Sequence, residues 1–551
     1  MKAFSRLLDR LSFEPGRNGK LRLITDYFRA VPDPDRGYAL AALTGSLDFA
    51  NAKPAVIHAL VAERTDPVLF RMSYNYVGDL SETVALMWPA VPAGAPPPKL
   101  SEVIETLATT SRLDLPRRLA AWLDALDETG RWALLKLITG ALRVGVSARL
   151  AKTSLAALGP HAPDDIEEVW HGLAPPYEGL FAYASGTAGR PDVTDPTPFR
   201  TPMLAHAIDE AKDFAALAGA DFSAEWKWDG IRAQAVTGLD AAGRPAARLY
   251  SRSGDDISGT FPDLMESLTD GRWGRAALDG ELLVVKDGKV EPFSSLQQRL
   301  NRKTVSAKTI AQYPIHLRAY DLLLDGDEDL RPLPFAARRE RLERFVRRLG
   351  DPRVDLSPIV AFRDWEHLAE IRLDPTLAGA AGDADAIEGL MLKRRDSTYV
   401  PGRPKGPWFK WKRQPFNIDA VMMYAQRGHG KRSSFYSDYT FGVWKEGPGG
   451  EELVPVGKAY SGFTDQELVK LDRFVRNNTV ARYGPVREVR HEPDDGLVLE
   501  ILFEGLNRST RHKSGVAMRF PRIARIRWDK PPAEADRFTA LEQLIAAPPA
   551  G

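Results

Sequence analysis

The stretch EWKWDGIRAQ, Glu225 to Gln234, sets a lysine, an aspartate, a glycine and an arginine at Lys227, Asp229, Gly230 and Arg232. A lysine amine is a nucleophile only once it has lost its proton, and nearby cations together with removal from water make that loss easier. The Asp-Gly pair reads as a turn, which returns Arg232 toward the lysine both as such a cation and as a clamp for phosphate. Taken by itself, Lys227 is as well explained as an exposed strand lysine between two core tryptophans, Trp226 and Trp228.

It does not stand by itself. Arg252 follows in YSRSG, Asp279 and Glu281 in ALDGELL, Tyr320 and Asp321 in AYDLL, Glu388 and Lys393 in EGLMLK, and Lys410 and Lys412 in WFKWK. RFPRIARIRWDK then supplies Arg519, Arg522, Asp529 and Lys530. Alternation in WFKWK puts both lysines on one face of a strand and Phe409 and Trp411 on the other. Glu225 shares the strand face of Lys227. Glu281 and Glu388 are acids at strand ends, suited to magnesium or equally to plain turns, and Tyr320 in a β run has the alternative of a core aromatic.

The elements that must position these groups change character along the chain. Over the first 180 or so residues, SETVALMW, SEVIETLATT, RRLAAWLDALDE and RWALLKLITGALRV repeat apolar residues at helical intervals, with VPAGAPPPKL as a loop among them. Tyr183 to Met203, rich in Pro, Gly and Thr, reads as a linker. Short β-like runs follow, with a helix at LPFAARRERLERFVRRL. From about Asn417 strands dominate, TDQELVKLDRFVRNN supplies a helix among them, and ADRFTALEQLIA reads as a terminal helix.

With 551 residues the chain is too long for one ordinary domain. It has no cysteine, which removes disulfides, thiol nucleophiles and thiolate zinc sites, and its nine histidines are scattered, so a metal here is expected to be oxygen-bound. Net charge is +1, so a nucleic-acid surface must come from local clusters such as Lys393 to Arg413 and Arg508 to Lys530. No run approaches the roughly 18 apolar residues of a membrane helix, and the opening MKAFSRLLDRL carries charges where a signal peptide has its apolar run, so the expectation is a cytoplasmic protein without a membrane partner.

In this order the motifs resemble those of the covalent nucleotidyltransferases, which include ATP-dependent DNA ligases, RNA ligases and mRNA-capping guanylyltransferases. GDLSETVALMW and LLKLITGALRVGVSARLAKTSLA resemble the helical DNA-binding domain of multidomain ATP-dependent DNA ligases, and FRTPMLA resembles the start of their catalytic domain. The resemblance covers nearly the whole chain and is to a bacterial relative of the replicative-type ligases. It implies a multidomain α and α/β chain: an all-α DNA-binding domain over 1–185, a linker over 186–203, an α+β adenylyltransferase domain of ATP-grasp-like nucleotidyltransferase fold over 204–415, a C-terminal OB-fold β-barrel over 416–535 and a helix and tail over 536–551.

By the same resemblance, Lys227 takes AMP from ATP, Glu225 meets the adenine amino edge, and Tyr320 stacks on the base. Arg232 and Arg252 hold ribose and phosphate, Glu281 and Glu388 serve magnesium (manganese being possible) or ribose, and Lys410 and Lys412, with Arg403 in a looser register, face the α-phosphate. Arg519, Arg522, Asp529 and Lys530 orient pyrophosphate. The partner implied is nicked double-stranded DNA, encircled by a monomer. SRSGDD after Tyr250 departs most from the pattern. The rivals are an RNA ligase or capping guanylyltransferase, which lack the helical block, and an inactive DNA clamp, against which the motif lysine and both acids stand. An NAD-dependent ligase would need zinc-finger cysteines.

Overall fold

The computed structural model describes residues 1–89, 95–140, 142–191, 195–300, 305–428, 435–447, 449–509 and 514–546. Much of the expected loop at 91–100, and Arg511 and Lys513 of the second basic cluster, lie outside them. The chain divides into two compact units: 1–166 with 173–191 and 415–545, and 167–172 with 192–414. Among the described residues no helix is long and apolar enough to cross a membrane.

In the first unit, the described residues up to Ala184 fold as helices, from Lys2–Phe13 to Glu178–Ala184, and the first strand of the chain comes only at His206–Ala207. The expected run RWALLKLITGALRV breaks where chemistry dictates: the Glu128–Thr139 helix stops at Gly140, whose φ of 71° suits a residue without Cβ. The helix at SETVALMW begins on an aspartate, since the Asp79 carboxylate accepts from the backbone N–H of Glu82 and also holds the buried Lys136 ammonium at 2.6 Å.

Among the described residues, the C-terminal part of this unit carries a seven-stranded sheet and a two-stranded one. Its long Phe416–Arg427 strand pairs with Tyr436–Gly447 along one edge, while its other edge takes Val498–Phe503 and then Val486–Val489. Register shifts within it bend the strand so that one element serves several partners. Thr464 and Glu467 form a reciprocal capping box that starts the Asp465–Asn477 helix.

The second unit holds two mainly antiparallel sheets. One runs His206–Ala207, Trp408–Lys412, Ile387–Arg394, Phe222–Trp228, Ile359–Val360. The other runs Pro245–Ser251, Ile231–Leu239, Ala276–Lys286, Ile315–Asp325, Glu328–Asp329. The chain passes from the first sheet to the second through Asp229 and Gly230 alone. A Cβ on Gly230 would lie 2.4 Å from the Leu282 carbonyl, so only glycine lets that turn approach the neighbouring strand. Trp226 and Trp228 are buried with Phe222, Leu390, Phe409 and Trp411 beneath the first sheet. That burial turns Lys227 and Glu225 to the opposite face.

Part of the expected linker is packed. Tyr183 closes a helix, and Phe199 and Met203 are buried against Tyr250, Tyr399 and Trp408, so the stretch from Asp195 onward is part of the second unit's core.

Candidate active site

Across the first sheet, Lys227 lies opposite Gly389, and Gly389 in turn opposite Lys412; Glu225, Met391 and Lys410 form the next row. The glycine puts no side chain between the two lysines. A Cβ there would come within 2.3 Å of the Trp411 carbonyl, and its φ of 145° likewise calls for glycine. A register shift beside Gly389 displaces Glu388, whose carboxylate accepts a hydrogen bond from the Lys227 ammonium and lies 3.7 Å from that of Lys412. The alternation expected for WFKWK holds, with Phe409 and Trp411 buried and both lysines partly exposed.

On the second sheet Arg232 pairs directly opposite Glu281. Burial pushes the Glu281 carboxyl up to about 8; Lys227 and Arg232 oppose that rise, while Glu388 and Asp229 add to it. Arg232 itself is clamped: its guanidinium donates to the Asp279 carboxylate at 2.6 Å, to the Met203 carbonyl at 2.7 Å and to the Tyr399 hydroxyl at 3.2 Å. Burial lowers Arg252, and Arg232 and Arg403 lower it further. Burial also lowers Lys410, with Lys412, Arg403, Lys227 and Arg252 adding to the effect. Six cations, Lys227, Arg232, Arg252, Arg403, Lys410 and Lys412, thus stand with four acids, Asp229, Asp279, Glu281 and Glu388, and the structure brings Arg403 into this group. Such a field favours a polyanion.

Tyr320 is the residue left unpaired where the Ile315–Asp325 strand shifts register against Ala276–Lys286, and its ring is turned toward the site. The Lys393 ammonium sits 4.6 Å from its centroid and the Arg232 guanidinium 5.9 Å. Lys393 reaches the buried Glu225 carboxylate at 2.6 Å. Lys393 and Asp279 were legible as motif residues, but their partners were not; Tyr399 gave no signal beyond its place just before Arg403.

Arg519, Arg522, Asp529 and Lys530 belong to the other compact unit. Arg519 lies over the exposed Phe520 ring at 5.2 Å, Arg522 pairs with Glu504 at 3.0 Å, and Lys530 pairs with Asp419 at 2.8 Å. Hydrogen bonds from Arg527 hold Asp529 well below the usual carboxylate range.

Among the described residues no group of three or more His, Cys, Asp and Glu could hold a metal. The pair Glu281 and Glu388 still fits magnesium, an ion that takes one or two carboxylates and completes its shell with water and substrate phosphate. Burial is the chief cause of the raised Glu281 carboxyl, with Glu388 and Asp229 adding to it, and a cation bound between the two glutamates would lower it.

Comparison with known proteins fits this geometry. Residues 202–412 match the model of the ATP dependent DNA ligase domain, and 432–530 that of the ATP dependent DNA ligase C terminal region. A probable DNA ligase of Koribacter versatilis is 34% identical over 75% of this chain and 71% of its own length. DNA ligase 1 of Korarchaeum cryptofilum is 29% identical over 99% of this chain and 98% of its own. A probable DNA ligase of Opitutus terrae is 31% identical over 100% of this chain, which spans 62% of that relative. Among solved structures, Pmar-Lig_PreS3 shares the fold at a TM-score of 0.56 and 15% identity, over 95% of this chain and 99% of that one. The chain belongs to the family of ATP-dependent DNA ligases.

Proposed function

We infer that this protein seals nicks in duplex DNA with ATP, through AMP carried on Lys227. The observation that carries the reading is the contact of the Lys227 amine with the Glu388 carboxylate, flanked by Lys412, Lys410, Arg232 and Arg252, in a chain of this family.

In the first step the Lys227 nitrogen attacks the α-phosphorus of ATP; the N–P bond forms, the bond to pyrophosphate breaks, and Glu388 is placed to accept the amine proton. Lys410 and Lys412 meet the charge that grows on the α-phosphate oxygens, while Arg252 and the clamped Arg232 orient ribose and phosphate. Tyr320 stacks on the base. Magnesium held by Glu281 and Glu388 would neutralise phosphate charge when bound. In the second step a 5′-phosphate oxygen at the nick attacks the same phosphorus and the N–P bond breaks. In the third, the 3′-hydroxyl attacks the activated 5′-phosphate, and AMP leaves.

The layout belonging to this reading is a helical DNA-binding domain over 1–185, a linker over 186–203, an adenylyltransferase domain over 204–415, an OB-fold barrel over 416–535 and a terminal helix and tail over 536–551. It is a cytoplasmic monomer that encircles its duplex. The helices contact phosphates without reading sequence, which makes affinity fall steeply with salt.

Sealing of an end-labelled nicked duplex with ATP and magnesium tests the reading. Joining of nicked RNA in place of DNA would move the assignment to an RNA ligase, and no joining at all would favour an inactive clamp. Arg519, Arg522, Asp529 and Lys530 are assigned to pyrophosphate orientation, a role confined to the first step. Arg522→Ala or Lys530→Ala is therefore expected to slow lysyl-adenylate formation at least about tenfold more than it slows sealing of pre-adenylated nicks. Equal losses in the two assays would remove that assignment.

A further inference from the structure

Glu225 has two cationic partners, and only one lies on its own sheet. Lys393 holds Oε2 at 2.6 Å. Arg339, from the Phe335–Leu349 helix, places Nη1 at 3.3 Å from Oε1 and at 2.8 Å from the Ser357 carbonyl, while its Nε donates to Glu343 at 2.8 Å. The guanidinium is thus fixed at its far side and aimed at the glutamate. Building on the reading that Glu225 meets the adenine amino group, we propose that Arg339 is the positioning residue that keeps Glu225 a hydrogen-bond acceptor and so sets the preference for ATP over GTP.

Lys393 alone cannot hold Glu225 in this way. Its ammonium is buried 4.6 to 4.8 Å from the ring centres of Tyr320, Phe335 and Trp408. Burial pulls it below the usual lysine range, although Glu225 and Asp321 oppose that. A buried carboxylate and ammonium can relieve their desolvation by sharing a proton, and both then become neutral. A guanidinium keeps its proton under all ordinary conditions. Arg339 therefore ties a permanent positive charge to Oε1, opposite the Lys393 ammonium on Oε2, so that both oxygens of Glu225 face N–H donors and present as acceptors. Adenine presents N–H at the amino position, which a carboxylate accepts. Guanine presents a carbonyl oxygen there, and two acceptors face each other without a proton between them.

The test is covalent labelling of the full chain with α-phosphate-labelled ATP and GTP, with kcat and KM measured for each nucleotide in wild type, Arg339→Met and Arg339→Lys. The expected result for Arg339→Met is a fall of at least tenfold in the ATP to GTP ratio of kcat/KM, carried mainly by KM for ATP; Arg339→Lys restores the ratio to within threefold of wild type. A parallel loss for both nucleotides, with the ratio unchanged, overturns the proposal, because a merely structural arginine would produce that. Should circular dichroism show Arg339→Met unfolded, Arg339→Gln takes its place: a tenfold fall in the same ratio supports the proposal and an unchanged ratio overturns it. Wild type that takes no label from ATP fails at an earlier point: it removes the Lys227 reading itself.

Discussion

Incubated with α-phosphate-labelled ATP and magnesium, the wild-type chain takes up label that survives denaturing electrophoresis, and Lys227→Ala takes up none. The expected loss is at least about a thousandfold, because the substitution deletes the atom that bonds to phosphorus rather than a group that assists it. Nothing nearby replaces it. Lys412 lies on the same face but one glycine-occupied strand away, and Lys410 is a row further along. Lys227→Ala should still bind nicked duplex, since the contacts assigned to DNA are elsewhere. Label retained on Lys227→Ala would move the nucleophile to one of the other two lysines.

Asp321→Ala is expected to destabilise the protein by about 3–5 kcal/mol, the range for leaving one member of a buried ion pair without its partner. Asp321 and Arg338 are both 0% exposed, and the guanidinium grips the carboxylate through Nε at 2.8 Å and Nη2 at 3.0 Å. Arg338 also donates to the carbonyls of Leu333 and Ser397, so the pair joins a strand, a helix and the segment after Arg394. Urea unfolding followed by tryptophan emission measures the loss. Asp321→Leu combined with Arg338→Met, which removes both charges, should recover most of it, because no charge is then stranded. A loss below about 1 kcal/mol for the single variant would mean that water reaches the pair.

These two residues also mark how far the sequence can be read. Lys227 stood out because its neighbours carry local meaning: a strand alternation, a turn, a returning arginine. The helices at Phe335–Leu349 and Asp465–Asn477 were equally plain in the sequence. What the arginines of the first of these do was not plain. Arg338 and Arg339 sit in a run of charge that looks solvated, yet they turn inward to acids 17 and 114 residues away. Ion pairing across such separations leaves no periodicity. The packing of the Pro- and Thr-rich stretch before Met203 was hidden for a related reason: Phe199 and Met203 are anchored by distant Tyr250 and Trp408, and single anchors make no pattern. Glu388 was legible as an acid at a strand end, but not its hydrogen bond to Lys227, which depends on a register shift in a pairing between strands far apart in the chain.

The two-residue passage at Asp229 and Gly230 has a mechanical side. A chain that leaves one sheet at Trp228 and enters the next at Ile231 carries no slack, and Gly230 is wedged against the Leu282 carbonyl. Neither sheet can slide along the other without dragging Lys227 past Glu281. A pull that brings the two sheets together, such as that of a polyanion gripped from both, would reach the reactive amine through this two-residue turn.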